Sequence, residues 1–149
     1  MRVLAIDYGS RAIGVAVCDE LRLTVRPLTT LRLQEQDRAQ IIARIVGLVE
    51  EYKAGELIVG MPFNMDGTKG AAARQVEQFI DELRSVVTIP IVAQDERLTS
   101  YEADARLRES GASRRERKAK SDEYAATIIL QDYLATTATA SPQDFPDDE

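Results

Sequence analysis

The hydrophobic pattern changes period near residue 37, and that change limits the folds open to this chain. Before it, apolar residues come in short dense runs. Residues 2–7 read as a buried strand ending in Asp7, and 12–18 as a second strand of small and β-branched side chains. Residues 22–32 read as a third, with Pro27 marking an edge or a bulge. The short connections Tyr8-Gly9-Ser10 and Asp19-Glu20 make these three an antiparallel meander. After residue 37 the period lengthens. Ile41, Ile42, Ile45, Val46, Val49 and Tyr52 recur at helical spacing, predicting a helix over about 37–53 with Gly55 as its stop. A short strand over 57–60, a helix over about 69–86 and a strand from Pro90 to Ala93 follow. Thr99-Ser100-Tyr101-Glu102 matches a capping box opening a helix to about 109, ended by Gly111. A last helix covers about 116–134, and 136–149 read as a polar, acidic, disordered tail. The order βββαβαβαα predicts an α/β fold, a mixed five-stranded sheet flanked by helices in one domain over 1–135, the element order of the ribonuclease H-like fold.

Composition narrows the chemistry. The 149 residues contain no histidine and one cysteine, Cys18, which removes the commonest general base and any thiolate zinc cluster. Catalysis must then lean on carboxylates, Lys, Tyr, Ser or Thr, and carboxylates favour hard cations, Mg²⁺ or Mn²⁺. No apolar run is long enough to span a membrane, and the N-terminus enters a strand without the features of a signal peptide, so a cytoplasmic protein is expected. The net charge of −6 opposes simple nucleic-acid binding, but it is uneven. The segment 106–120 carries +5 and the remainder −11, leaving a basic stripe on an acidic body.

Three carboxylate positions stand out. Asp7 closes the first strand, and alternation puts it on one face with Val3 and Ala5. A charge there is costly unless paired with a cation; the competing reading is an Asp that merely starts a turn before Gly9. Asp95 and Glu96 end the fifth strand, where open sheets of this kind place their sites, although in isolation a solvated charged loop is the better reading of the two. Asp122 shares a helix face with Ala125, Ala126 and Ile129, and is either a helix cap or an acid aimed at the sheet edge. Acids from two strand ends and one helix could hold two cations about 4 Å apart. For nucleic-acid contacts the candidates are Arg11, Asn64, Thr68, Arg97 and the run Arg114, Arg115, Arg117, Lys118 and Lys120 just before Asp122. The first could instead pair with an acid, and Gly60–Thr68 could be a plain connecting loop.

The residues then resemble a family. Val3-Leu4-Ala5-Ile6-Asp7-Tyr8-Gly9 with Arg11 and Gly14 is similar to the opening motif of the YqgF/RuvX family. The stretch from Val59 to Thr68, the stretch from Asp95 to Ser100, and Asp122 with Ala125, Ala126 and Ile129 resemble its other three, in family order over about 1–134. The resemblance implies a ribonuclease H-like fold related to Holliday-junction resolvases and a nuclease processing the 5′ end of precursor 16S rRNA. Carried over by motif, the catalytic acids are Asp7, Glu96 and Asp122 with Asp95, and the metal ligands Asp7, Glu96 and Asp122. Ala12 stands where the family often has a basic residue, and Cys18 near an expected small hydroxyl residue. The expected partner is structured RNA or branched DNA, bound by a monomer or weak homodimer with no membrane involved. Junction resolution would need a symmetric dimer. A phosphotransferase would need a second domain around its nucleotide, and a non-catalytic binding module would not need the acids.

Overall fold

The structure, a computed structural model, describes residues 1–96, 109, 111 and 114–140, the last stretch with side chains at 124–137. It contains β1 (Arg2–Tyr8), β2 (Ala12–Cys18), β3 (Val25–Arg32), α1 (Arg38–Glu51), β4 (Ala54–Met61), α2 (Ala71–Arg84), β5 (Ile91–Asp95) and α3 (Arg114–Ala140). The sheet order is β3-β2-β1-β4-β5. The first three strands form the expected antiparallel meander, and β1–β4 and β4–β5 pair in parallel. Parallel pairing brings the C-terminal ends of β1, β4 and β5 to one edge. Pro27 sits in edge strand β3 where the register slips between Val15 and Ala16, which confirms the bulge.

The two faces of the sheet are packed differently. Leu4, Ile6, Ile13 and Val59 meet Ile41, Ile45 and Leu48 of α1 and Val76, Phe79 and Leu83 of α2. Val3, Ala5, Ala16, Cys18 and Ile58 meet Ala126, Ile129, Leu130 and Leu134 of α3. Small side chains on both partners let α3 lie close to the sheet. Cys18 belongs to this packing: it is buried, and its sulfur accepts a hydrogen bond from the Val3 amide at 3.2 Å. Ala12 is buried as well.

Element ends differ from the sequence expectation for local reasons. Helix α1 starts on a capping box in which Asp37 accepts from the Gln40 amide and Gln40 accepts from the Asp37 amide, both at 2.8 Å. It stops at Tyr52, and Lys53 takes the left-handed turn at φ 51°. Gly55, expected as the stop, lies inside β4 against Met1. Helix α3 begins two residues before the expected start and continues six past 134, so 136–140 are helical rather than tail. Gly111 adopts φ +84°, the conformation expected of a helix stop. The expected helix over 99–109, apart from residue 109, and the tail beyond 140 lie outside the described residues. Among the described residues no helix is long and apolar enough to cross a membrane.

Candidate active site

The parallel edge gathers the acids. Alternation along β1 turns Asp7 with Val3 and Ala5 toward the α3 face, and Asp7 pairs with Gly14 of β2. On its other side β1 runs in register with β4 up to Ile6 opposite Val59, which sets Asp7 beside Gly60. Gly60 in turn pairs with Gln94 and Met61 with Asp95. The chain leaves β5 there, and the Glu96 amide donates to the Met61 carbonyl at 3.1 Å. This last backbone bond holds Glu96 over the end of β4.

Asp7 and Glu96 are both buried, at 7% and 8% exposure, and their side chains are hydrogen-bonded to each other. Two carboxylates can share such a bond only when one carries a proton. The pKa of Glu96 is pushed up to about 9, first by burial, then by the negative charge of Asp7, the hydrogen bond to it, and the charge of Asp95, so the pair holds one proton between its two acids. Every one of these influences disfavours the Glu96 anion.

Gly60 makes the arrangement sterically possible. A Cβ there would come within 2.8 Å of the Glu96 carboxyl carbon, 2.9 Å of its Oε1 and 2.6 Å of Ile129 Cδ1. Any side chain at 60 would push the carboxyl aside. Sequence reasoning placed Gly60 at the start of a loop and gave it no role. The available signal was a glycine closing the buried run Leu57-Ile58-Val59, which often marks a close approach by another group.

The other expected residues divide into three groups. Asp95 is exposed, and alternation along β5 sets it on the face opposite Glu96, so it acts on Glu96 through charge. Asp122 lies in α3, seven residues before Ile129. Since Tyr133 reaches Glu56 at the start of β4 and Ile129 reaches Gly60 near its end, α3 runs antiparallel to β4. Asp122 is therefore carried toward the edge that bears Asp7 and Glu96, and Arg114, Arg115, Arg117, Lys118 and Lys120 lie farther along the same end of the helix. The side chains of these six residues, and Arg97 altogether, lie outside the described residues. Among the described residues no three acid, Cys or His side chains form a metal cluster.

Arg11 is exposed in the β1–β2 turn at the same edge. The loop from β4 to α2 is also there, closed on itself: Asn64 Nδ2 donates to Thr68 Oγ1 at 2.9 Å, Thr68 Oγ1 donates to Asp66 at 2.7 Å, and Gly67 turns at φ 88°. Asn64 and Thr68 are exposed but already hold each other, so the loop is preshaped rather than open.

Known proteins share this architecture. The RuvX family model, described as a Holliday junction resolvase, matches residues 1–136. A relative from Roseiflexus sp. (strain RS-1), named a pre-16S rRNA nuclease, is 44% identical over 133 residues, covering 89% of this chain and 93% of its own. One of the same name from Halothermothrix orenii is 42% identical over 136 residues, covering 90% and 94%. Among solved structures, Thermus thermophilus RuvC in complex with a Holliday junction substrate superposes with TM-score 0.57 at 18% identity, covering 93% of this chain and 97% of that one. The Fowlpox virus resolvase bound to Holliday junction DNA gives 0.54 at 10% identity, covering 91% and 98%. At these identities the two structures establish the ribonuclease H-like fold and nothing finer. The family model and the relatives span nearly the whole described chain, and by them the protein belongs to the RuvX family.

Proposed function

We propose that this protein is a metal-dependent endonuclease that hydrolyses phosphodiester bonds, acting on the 5′ end of precursor 16S rRNA. The observation that carries the reading is the buried, hydrogen-bonded pair of Asp7 and Glu96 at the shared edge of β1, β4 and β5. A structural acid is ordinarily buried with a cation of its own; here a buried acid faces another acid, and a bound cation would relieve the repulsion.

The donor set fits Mg²⁺ or Mn²⁺, being hard carboxylate oxygen without His or thiolate. Asp7 and Glu96 would hold the ion, with Asp122 as third ligand from the end of α3 that approaches them. Such an ion would supply Lewis acidity at the phosphodiester and a lowered pKa for the attacking water. The chain's own part is positioning. Gly60 leaves the space in which the Glu96 carboxyl turns toward Asp7. Glu96 would bind the ion as a carboxylate, so the proton shared with Asp7 would leave to solvent as the ion entered. Asp95 tunes that exchange from the opposite face. Arg11, Arg97 and the basic run from Arg114 to Lys120 would meet the phosphate backbone, with Asn64 and Thr68 offering their self-bonded loop to sugar or phosphate. A monomer suffices for this chemistry, in the cytoplasm where ribosomes are assembled.

Resolution of a four-way DNA junction is the second reading, favoured by the family description and requiring a symmetric dimer. Wild type and Asp7→Asn would be incubated with labelled 16S leader RNA and with a four-way junction, in Mn²⁺, Mg²⁺ or EDTA. Metal-dependent cutting of the RNA, absent in Asp7→Asn, is expected. Symmetric cutting of the junction in preference to RNA would move the assignment to resolvase. Cutting of neither substrate by folded wild type would leave a binding module.

A further inference from the structure

A cleft lies across the sheet edge from the acids. Asp7 turns to the α3 face; the next residue, Tyr8, turns to the α1–α2 face and packs on Phe79 with ring centroids 4.8 Å apart. Tyr8, Gly9 and Ser10 form one wall of a cleft of about 350 Å³, closed by Leu33, by Arg38 at the start of α1, and by Gln75 and Gln78 of α2. Sites for small ligands begin near this size, at about 300 Å³.

Arg38 is held in place from three sides. Its Nε and Nη2 donate to Glu82 at 2.8 and 3.3 Å, its Nη1 donates to Tyr8 Oη at 2.7 Å, and its guanidinium lies 4.9 Å from the Phe79 ring centroid. Those bonds use three of the five N–H groups of an arginine, leaving one on each terminal nitrogen. The side chain is 40% exposed, so the remaining donors are within reach of a ligand. Gln75, Gln78 and Glu82 fall on one stripe of α2; Glu82 anchors Arg38, and the two glutamine amides beside it are exposed.

Among the described residues the lining holds one cation, Arg38, whose charge Glu82 pairs from beside the cleft, directly behind a buried acid pair. An anionic strand approaching that pair meets the charge of Asp7, whereas the cleft on the other face presents the N–H groups of Arg38 that its bonds to Glu82 and Tyr8 leave over. We infer that the cleft takes one nucleotide of the bound strand flanking the scissile phosphodiester, its phosphate on the free N–H groups of Arg38 and its base edge on the amides of Gln75 and Gln78. Glutamine presents a donor and an acceptor together, which suits a base edge better than a phosphate. The cleft therefore selects a base at one position beside the cut. This inference deepens the nuclease reading and rests on it for the position of the cut.

Two measurements separate the cleft from the nuclease. In the first, single-stranded RNA binds to Asp7→Asn and to Asp7→Asn with Gln75→Ala and Gln78→Ala, followed by fluorescence anisotropy without added metal. The added changes should weaken Kd by ~5–10-fold, the scale of one or two lost hydrogen bonds, and leave the melting temperature in place because both side chains are exposed. In the second, wild type and Gln75→Ala/Gln78→Ala cut an RNA pool randomised around the cleavage site. Wild type should favour one base at one flanking position, and the variant should lose that preference. Unchanged Kd together with an unchanged base profile overturns the cleft while cleavage itself upholds the nuclease. Weakened binding without cleavage by wild type upholds the cleft as a nucleotide site and sinks the nuclease. Absence of RNA binding by the folded parent overturns both.

Discussion

The two ends of the sheet treat their acids in opposite ways, half-buried Glu56 at one and buried Asp7 and Glu96 at the other. At the start of β4, Glu56 meets Arg22 at 3.4 Å and accepts the Tyr133 hydroxyl at 2.7 Å. At the other end Glu96 meets Asp7, and the described influences on its ionisation all oppose the anion. The first acid has its cation within the chain, so it ties β4 to α3 and to the β2–β3 turn and requires nothing more. The second is built over a glycine and against another acid, an arrangement that gains from a cation supplied from outside. The same residue type thus serves structure where it is paired and, in the function proposed above, chemistry where it is opposed.

The sharpest way to break this comparison is to remove the charge at the active end. Asp7→Asn or Glu96→Gln should lower cleavage by ~10³-fold or more, the equivalent of several kcal/mol of lost transition-state stabilisation, while the fold survives. Circular dichroism and single-turnover cleavage of the leader RNA would test this; near-wild-type cutting by either variant would remove the acid pair from the mechanism.

Next in size is Gly60→Ala. Its Cβ must displace the Glu96 carboxyl, so metal affinity and rate should fall by ~10–100-fold, as when a group that orients a metal ligand is lost. A Mn²⁺ titration that leaves Kd unchanged would mean that Glu96 relaxes without cost.

The pH dependence follows from the raised pKa of Glu96. The ordinary carboxyl value is 4.5 and the folded one about 9, so the neutral form supports folding fully below pH 4.5, and that support is lost as pH rises through 9. One such proton changes stability by at most about 1.4 kcal/mol per pH unit within the window. In EDTA the melting temperature should fall between pH 6 and pH 9, less steeply in Glu96→Gln. A cation held by the pair would displace the proton, so thermal stabilisation by Mn²⁺ should grow over the same range. A metal effect independent of pH would show that Glu96 is already ionised without metal.

The smallest effect belongs to the structural end. Arg22→Ala removes a partly exposed ion pair, with the arginine side chain 37% exposed, and should cost under about 1 kcal/mol in urea unfolding while cleavage is unaltered. A drop in activity there would show that the two ends are coupled through β4.

The architecture was legible because its cause is local. Strand runs of period two, helical runs of period 3.6, Pro27 at a bulge and Asp7 at a strand end are written in neighbouring residues. The left-handed Lys53 that closes α1 was not legible, because a residue of ordinary preference was forced there by the turn into β4. Nor was the length of α3: 136–140 have a composition suited to a tail, yet the helix carries on through them, and Thr136 and Thr137 bond back to carbonyls one turn earlier.

The amino-acid sequence by itself determined which acids the protein has, that no histidine competes with them, and that strands alternate with helices after residue 37. It carried Asp7 and Glu96 as two separate candidates 89 residues apart. Only the tertiary structure decided that they share a hydrogen bond, because that needs parallel pairing of β1, β4 and β5 and the missing side chain at Gly60. It likewise decided that adjacent Asp95 and Glu96 act from opposite faces, and that Tyr8, Arg38 and Gln75 meet around one cleft. Periodicity reports which way a side chain points from its own strand or helix; what it meets there depends on elements far away along the chain.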